Sequence, residues 1–256
     1  ATVQVVDRLA MIETWSEVDA DLLEVEGGDD PAGYRASEAR RHIAAISHEW
    51  AENFFYGNAA ANPKEFTGLS IRYSDPTAAN GRNVIDMGGT GGDNASIWFL
   101  NVRNPDGVRL VHPKASKSMG IARRDFGKVA AETHGSQTGN IEKYKEKFSL
   151  KVGMTNKDWR LNARVASIDI SNLRARTNDA DLFEGMTYAY HALEETDGVV
   201  MACNRTIAAW MDLQAQERVQ GSGGLTYETV DGRPMLHYRG MPIYVTDALT
   251  NSEAAV

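Results

Sequence analysis

Apolar and polar positions alternate with period two from Lys143 to Thr155. The even series is Tyr144, Glu146, Phe148, Leu150, Val152 and Met154. The odd series is Lys143, Lys145, Lys147, Ser149, Lys151, Gly153 and Thr155. This is the signature of a strand with one largely apolar and one basic face. Thr155-Asn156-Lys157-Asp158 then supplies turn chemistry. Trp159, Leu161, Ala163 and Val165 resume the alternation, with Arg160, Asn162 and Arg164 opposite. The pattern predicts an extended hairpin over Tyr144–Val165, roughly 35 Å per arm at about 3.3 Å per residue. A two-faced β-arm of that length suits a protein that reaches out to contact neighbours.

Elsewhere the period changes. Thr2–Val6 reads as a short strand. Asp7 is placed to cap a helix through Glu26 that carries Leu9, Ile12, Val18, Leu22 and Leu23. Gly27-Gly28 ends it, and Asp29-Asp30-Pro31 reopens with a cap and a first-turn proline. A second helix is predicted over Arg35–Tyr56. Its apolar positions Ala36, Ala39, Ile43, Ile46, Trp50 and Phe54 step by three and four. It would be about 33 Å long at ~1.5 Å per residue, and Gly57-Asn58 stops it. Residues 58–94 are mostly turn signals. Ser96–Val102 and Val108–His112 flank Asn104-Pro-Asp-Gly107, which predicts a hairpin. A basic loop follows with Lys114, Lys117, Arg123, Arg124 and Lys128, and Gly135–Gly139 leads into the long hairpin.

After Ile170 the texture shifts. Asn178-Asp179 suggests a cap for a helix with Leu182, Phe183, Met186, Tyr190 and Leu193. Gly198–Cys203 reads as a buried strand, and Asn204 caps a further helix with Ile207, Trp210, Met211 and Leu213. Gly221–Gly224 is a loop. Tyr227–Val230 and Met235–Tyr238 flank Asp231-Gly232 as a hairpin, and Gly240–Asp247 is a final strand. The expected architecture is α+β, with a helix-plus-hairpin unit followed by an α/β unit and a boundary near Ile170.

Composition narrows the class. With 256 residues, 42% of them hydrophobic, the chain has enough material for one large core or two small ones. No apolar run approaches the ~18 residues of a membrane span, and no signal peptide or lipidation motif is seen. A single cysteine, Cys203, excludes an internal disulfide framework and reads as a buried thiol in a reducing compartment. The net charge of −8 argues against a dedicated nucleic-acid binder. Its distribution is uneven. Asp7 to Asp30 holds nine acids and only Arg8 as a base, whereas Lys143, Lys145, Lys147 and Lys151 line one strand face. Segregated charge favours contacts between copies, in which those lysines meet Asp19, Asp21, Glu24 and Glu26 of a neighbour. For either segment alone, a solvated face is the plainer reading.

No catalytic constellation emerges, and no cofactor or metal site is expected. The run Gly88-Gly-Thr-Gly-Gly92 lacks the Lys-Ser/Thr of a P-loop and the strand–helix context of a dinucleotide site. His48-Glu49 begins like a zinc-protease helix, but Glu52 stands where the second histidine belongs. His112, His134, His191 and His237 have no metal-ligand spacing, and no Gly-x-Ser-x-Gly elbow occurs. Glu194-Glu195 reads as solvated, and Asp158 as a turn carboxylate paired with Arg160.

Several segments together resemble the major capsid protein of tailed bacteriophages, with its Hong Kong 97-like coat fold. They are Ala51-Glu-Asn-Phe-Phe-Tyr-Gly-Asn58 with Asn62-Pro-Lys-Glu-Phe-Thr-Gly-Leu69, and Asn83-Val-Ile-Asp-Met-Gly-Gly-Thr90 with Ser96-Ile-Trp-Phe-Leu100. Val111-His-Pro-Lys114, Lys157-Asp-Trp-Arg160 and Ala163-Arg-Val-Ala-Ser-Ile-Asp169 continue the set. Gly240-Met-Pro-Ile243 and Thr246-Asp-Ala-Leu-Thr-Asn-Ser-Glu253 complete it. No single piece is diagnostic; the ordered set spans nearly the whole chain.

The resemblance implies residues 1–7 as the end of an E-loop strand and residues 8–172 as a peripheral domain. That domain would hold a spine helix at 35–56 and the long hairpin at 141–168, with residues 173–256 as the axial domain. It implies a structural, non-enzymatic coat protein that self-assembles as hexamers and pentamers into an icosahedral shell around double-stranded DNA. Assembly would take place in the host bacterial cytoplasm and the product would reside in the virion. Scaffolding, portal and decoration proteins are the implied further partners, with non-specific DNA contact and no membrane. The family's N-terminal arm and extended E-loop precede the first helix; here only Ala1–Val6 do, and the chain starts with Ala1, which points to processing or truncation. No lysine matches the family's crosslinking position, so no crosslinking or protease residues are carried over. Two alternatives share parts of this reading: an encapsulin-type compartment shell, and a soluble α/β enzyme with its site at Gly88–Gly92 or Gly221–Gly224.

Overall fold

The computed structural model describes residues 6–114, 120–134, 137–175, 181–217, 225–230 and 233–256. The chain forms two compact units. One comprises residues 1–54, 58–66 and 111–153; the other comprises 55–57, 67–110 and 154–256. The division therefore differs from a single cut at residue 172: the second unit recruits residues 67–110 and 154–172 as well as the C-terminal part. The predicted strand at Thr2–Val6, the Asn178-Asp179 cap, the Gly221–Gly224 loop and the Asp231-Gly232 turn lie outside the described residues, apart from Val6.

In the first unit, β1 (Ala10–Asp19) pairs antiparallel with β6 (Gln137–Asn156), and β6 pairs antiparallel with β5 (Ala122–His134). A short strand β4 (Val108–Val111), of which only Val111 belongs to the first unit, is the fourth strand of this sheet. The helix predicted over Asp7–Glu26 is corrected here. Its first half is β1, and only α1 (Ala20–Gly27) is helical. Leu9, Ile12, Val18 and Leu22 fit helical spacing by coincidence. Residues 10–19 in fact alternate, with Ala10, Ser16 and Val18 buried and Met11, Glu13, Trp15 and Glu17 outward. β-Branched Ile12, Thr14 and Val18 favour the pleated backbone. Asp19 closes the strand and caps α1, its carboxylate accepting from the N–H groups of Asp21 (2.8 Å) and Leu22 (3.3 Å).

Helix α2 (Pro31–Tyr56) starts four residues before the predicted Arg35. Asp30 accepts from the Gly33 N–H at 2.8 Å, and Pro31 occupies the first turn, where its missing N–H costs nothing. The helix buries a narrow stripe. Ala39 and Ile46 pack against Phe148, with Ile12, Ile121 and Leu150 around them. Ala36, Ile43 and most of its other faces remain exposed.

The long hairpin is also corrected. Its arms are β5 and β6, and not the halves of Tyr144–Val165. Asp158 caps a 3₁₀ turn at Trp159–Leu161, and the chain then enters β7 (Ala163–Asp169), which lies in another sheet. The apparent wet face of that second arm is wet only at Arg160. Asn162 is fully buried and Arg164 is 4% exposed. Buried polar residues at alternate positions imitate a solvent-facing edge.

The second unit holds a seven-stranded sheet. It contains β2 (Val84–Asp86), β7, β3 (Asn94–Asn101), β8 (Val199–Cys203), β11 (Met241–Val245), β10 (Arg233–Tyr238) and β9 (Leu225–Val230), in that order. β3 pairs with β7 on one side and β8 on the other, and every one of its residues is buried. The hairpin predicted across Asn104–Gly107 is therefore corrected too. The turn exists, with the Gly107 N–H bonded to the Asn104 carbonyl at 3.1 Å, but β4 leaves for the other sheet because both edges of β3 are taken.

A short helix α3 (Leu69–Arg72) precedes this sheet in the chain, and α4 (Ile170–Ala175) follows β7. Helix α5 (Leu182–Ala192) is capped by Asp181, whose carboxylate accepts from Phe183 (2.9 Å) and Glu184 (3.3 Å). It packs on β7 and β2. A Cβ at Gly185 would stand 2.6 Å from Met87 Sδ and 2.9 Å from Val165, so glycine permits that close approach. Helix α6 (Arg205–Glu217) is capped by Asn204 as predicted, with Ile207 N–H to its side-chain oxygen at 2.8 Å. Cys203 is buried, and desolvation pushes its thiol up to about 12.

On the opposite side of the sheet from α5, Arg164 and Glu253 form a buried ion pair at 2.9 Å, each 4% exposed. Arg164 also donates to the Tyr73 carbonyl (2.8 Å) and to Ser96 Oγ (3.1 Å). Tyr56 donates to the second Glu253 oxygen at 2.6 Å, and Ser96 donates to the first. Burial, then the Glu253 carboxylate, pushes the Tyr56 phenol well above its ordinary range. Every charge in this network has a partner, which is the condition for burying it.

Candidate assembly surface

The sheet of the first unit has two unlike faces. One lies under α2 and carries Phe148 and Leu150. It also carries Glu146, 3% exposed, which accepts from Arg35 of α2 and from Arg123 of β5 (2.8 Å). An acid within the apolar series of a period-two strand was the signal for that cluster, since a buried carboxylate needs cations close by. Asp125 joins it. The Gly127 N–H, then Arg35, hold the Asp125 carboxyl below its usual range.

The other face holds the predicted basic ladder. Lys143, 8% exposed at its side chain, and Lys145 (2.9 Å) both bond Glu17, and Lys147 bonds Glu13. These acids come from β1, in register beside β6. Three of the four predicted interface lysines therefore have partners within their own chain. Lys151 is exposed and has no ion-pair partner among the described residues. Of the predicted acids, Asp19 serves as the helix cap, while Asp21, Glu24 and Glu26 are exposed on α1.

Trp15 and Phe126, which sequence reasoning passed over, stand at the centre of the same face. Their ring centroids are 5.4 Å apart. Lys145 and Lys147 lie over Trp15 at 4.6 and 5.1 Å, and Arg124 over Phe126 at 4.7 Å. Such contacts are favourable where the cation is partly desolvated. Reading residues 10–19 as a strand was the missing step, because it alone brings Trp15 opposite Lys147.

Hydrogen bonds from Lys143 and then Lys145 hold the Glu17 carboxyl below its ordinary range. A carboxyl lowered in this way contributes stability that is complete above its unfolded value of about 4.3 and is lost as pH falls through its folded value. The thermal midpoint of the subunit should thus fall as pH drops below about 4.3, and Glu17→Gln should flatten part of that fall. Equal pH slopes for wild type and variant would show that the ladder is not coupled to folding.

In the second unit a cleft of about 450 Å³ is lined by Arg103, Tyr190, Asp197 and Arg239 among others. Arg103 is paired with Asp197 through two 3.0 Å bonds. Asp158 pairs with Arg160, and Arg160 with Glu194. Among the described residues no cluster of His, Cys, Asp and Glu is arranged to hold a metal ion, and no helix is long and apolar enough to cross a membrane.

This α+β architecture is the Hong Kong 97-like fold of a tailed-phage coat. The chain aligns with the cryo-electron microscopy structure of bacteriophage Epsilon15 at TM-score 0.70 and 25% identity, over 98% of this chain and 75% of that one. A looser likeness is to the procapsid of bacteriophage JBD30, at TM-score 0.41 and 13% identity, over 94% and 76%. A family model described as Major capsid protein GP7 matches residues 1–256, and the chain belongs to that family. It is a structural coat protein of a tailed bacteriophage and a component of the virion. No curated protein matches the sequence.

Proposed function

We propose that copies of this chain close into hexamers and pentamers, and these into an icosahedral shell around double-stranded DNA. The observation that carries the reading is the capsid family match along the whole chain. The protein acts as a tile, without a catalytic step or a cofactor, and is assembled in the host cytoplasm. The first unit, with α2 and the β5–β6 hairpin, takes the peripheral role. The second takes the axial role around five-fold and six-fold axes, where heterologous contacts generate rings. Scaffolding, portal and decoration proteins are its further partners. The acidic net charge is compatible with lining a genome, since packaged DNA brings its own counterions.

Charge complementarity orders the contacts. Lys143 and Lys145 share one acid, Glu17, so the basic face keeps a surplus beside Lys151, which has no ion-pair partner among the described residues. That surplus meets Asp21, Glu24 and Glu26 of a neighbour. Individually weak contacts suffice, because many copies act together. Imaging the full-length gene product by electron microscopy tests the assembly. Closed icosahedral shells containing DNA support it, and monomers or small oligomers alone overturn it. Lys151→Glu should lower shell yield most at low salt, where charge contacts are least screened, and Glu24→Lys in the same chain should restore it. Wild-type yields for Lys151→Glu at all salt concentrations would remove the charge contact.

A further inference from the structure

The uncovered sheet face has an apolar centre that charge pairing does not explain. Trp15 is 37% exposed, Phe126 39% and Met11 51%, all on the side away from α2. Helix α1 has the converse character. Leu23 is buried in its own copy, while Leu22 (46%) and Val25 (79%) face solvent among Asp21, Glu24 and Glu26. Leu22 and Val25 are three apart and so share one side of the helix. Isolated exposed side chains are ordinary, but contiguous apolar groups rimmed by one sign of charge mark contact surfaces.

We propose that α1 of one copy docks on the Trp15–Phe126 face of a second copy, with Leu22 and Val25 against the aromatic pair and the helix acids toward Arg124 and Lys151. This deepens the charge reading above and rests on the same assembly: apolar anchors supply the contact and charges set its register. Two observations select a second copy as the occupant. The sheet face carries Arg124, Lys143, Lys145, Lys147 and Lys151 against Glu13, Glu17 and Asp19, so it has spare positive charge, and α1 carries the matching negative charge. The two patches also sit apart. Helix α1 leaves β1 where Asp19 faces Lys143, whereas Trp15 faces Lys147 four residues back, roughly 13 Å along the strand at about 3.3 Å per residue. Unlike patches at different places on one subunit make a head-to-tail contact, which closes a ring or extends a lattice.

Paired cysteines in the full-length chain test this. Met11→Cys with Val25→Cys, or Phe126→Cys with Val25→Cys, should give a disulfide-linked multimer ladder on mild oxidation of assembled particles. Each single variant should give none, because a head-to-tail contact never brings a residue against its own copy. Cys203 is buried with a raised thiol and stays silent. Val25→Asp, at a site too exposed to disturb folding, should cut particle yield at least tenfold while the thermal midpoint of the free subunit holds. Trp15→Ala should do the same, with Phe126→Ser as its substitute if the midpoint falls. Wild-type particles accompanied by no ladder in either pair, or by full yield for Val25→Asp, would overturn the docking while leaving the coat assembly intact. Loss of DNA content alone from Trp15→Ala particles would also overturn it, in favour of a nucleic-acid face. Failure of the wild-type chain to assemble would overturn the assembly reading and this proposal together.

Discussion

Glu253→Ala is expected to destabilise the subunit by about 3–5 kcal/mol, the usual cost of leaving a buried charge without its partner. The variant strands Arg164, 4% exposed, beneath Trp98, whose ring it faces at 5.1 Å. It also removes the acceptor for Tyr56 and Ser96. Backbone bonds tie residue 253 to Asn94 in both directions, at 2.9 and 3.3 Å, so loss of the side chain also loosens the closing segment from the start of β3. Removing both charges with Arg164→Met and Glu253→Leu should recover much of the loss, since no bare charge remains. Urea unfolding checks this through the midpoint at constant slope. A midpoint change for Glu253→Ala equivalent to less than about 1 kcal/mol would mean that water reaches the site.

The second large effect falls on the other unit. Phe148→Ala should cost about 3–5 kcal/mol, combining lost burial with the cavity left behind. Phe148 is 1% exposed and holds Ala39 and Ile46 of α2 to the sheet. That cluster is small, whereas the second unit buries an extended core from Ala95 to Ile243. Total stabilities are only about 5–15 kcal/mol, so a loss concentrated here should open one unit first. Hydrogen exchange should accelerate in β1, α2 and β6 while β3 and β7 stay protected. Uniform acceleration across both units would refute local opening.

Some elements were legible because their signals are local. Asp30-Pro31 and the Ala39, Ile46 and Trp50 spacing announce α2, and Asn204 announces α6, since caps and helical periodicity concern residues one or two turns apart. The capsid resemblance was carried by short segments in order, and the family match over the whole chain agrees with it. Other readings failed where two structures share one pattern. Leu9, Ile12, Val18 and Leu22 suit a helix, but residues 10–19 alternate, and pairing with β6, more than a hundred residues away, decides for the strand. Asn162 and Arg164 look solvated until Asn83, Asn156 and Glu253 are brought to them.

The candidate surface divides in the same way. The basic series Lys143, Lys145, Lys147 and Lys151 and the acids of Asp7–Asp30 are visible in sequence, because alternation alone assigns a strand residue its face. Which of those charges stay available is not visible. Register sets Glu13 and Glu17 of β1 beside the lysines and leaves Lys151 without a partner among the described residues. By itself, the sequence determined an acidic α+β chain with a long capped helix, a long two-faced strand and segregated charge, because each depends only on neighbours along the chain. Only the tertiary structure decided that β5, and not β7, is the partner arm, that Arg164 is buried, and that Trp15 meets Phe126. Those outcomes depend on which distant segments exclude water from one another, and no local periodicity records that.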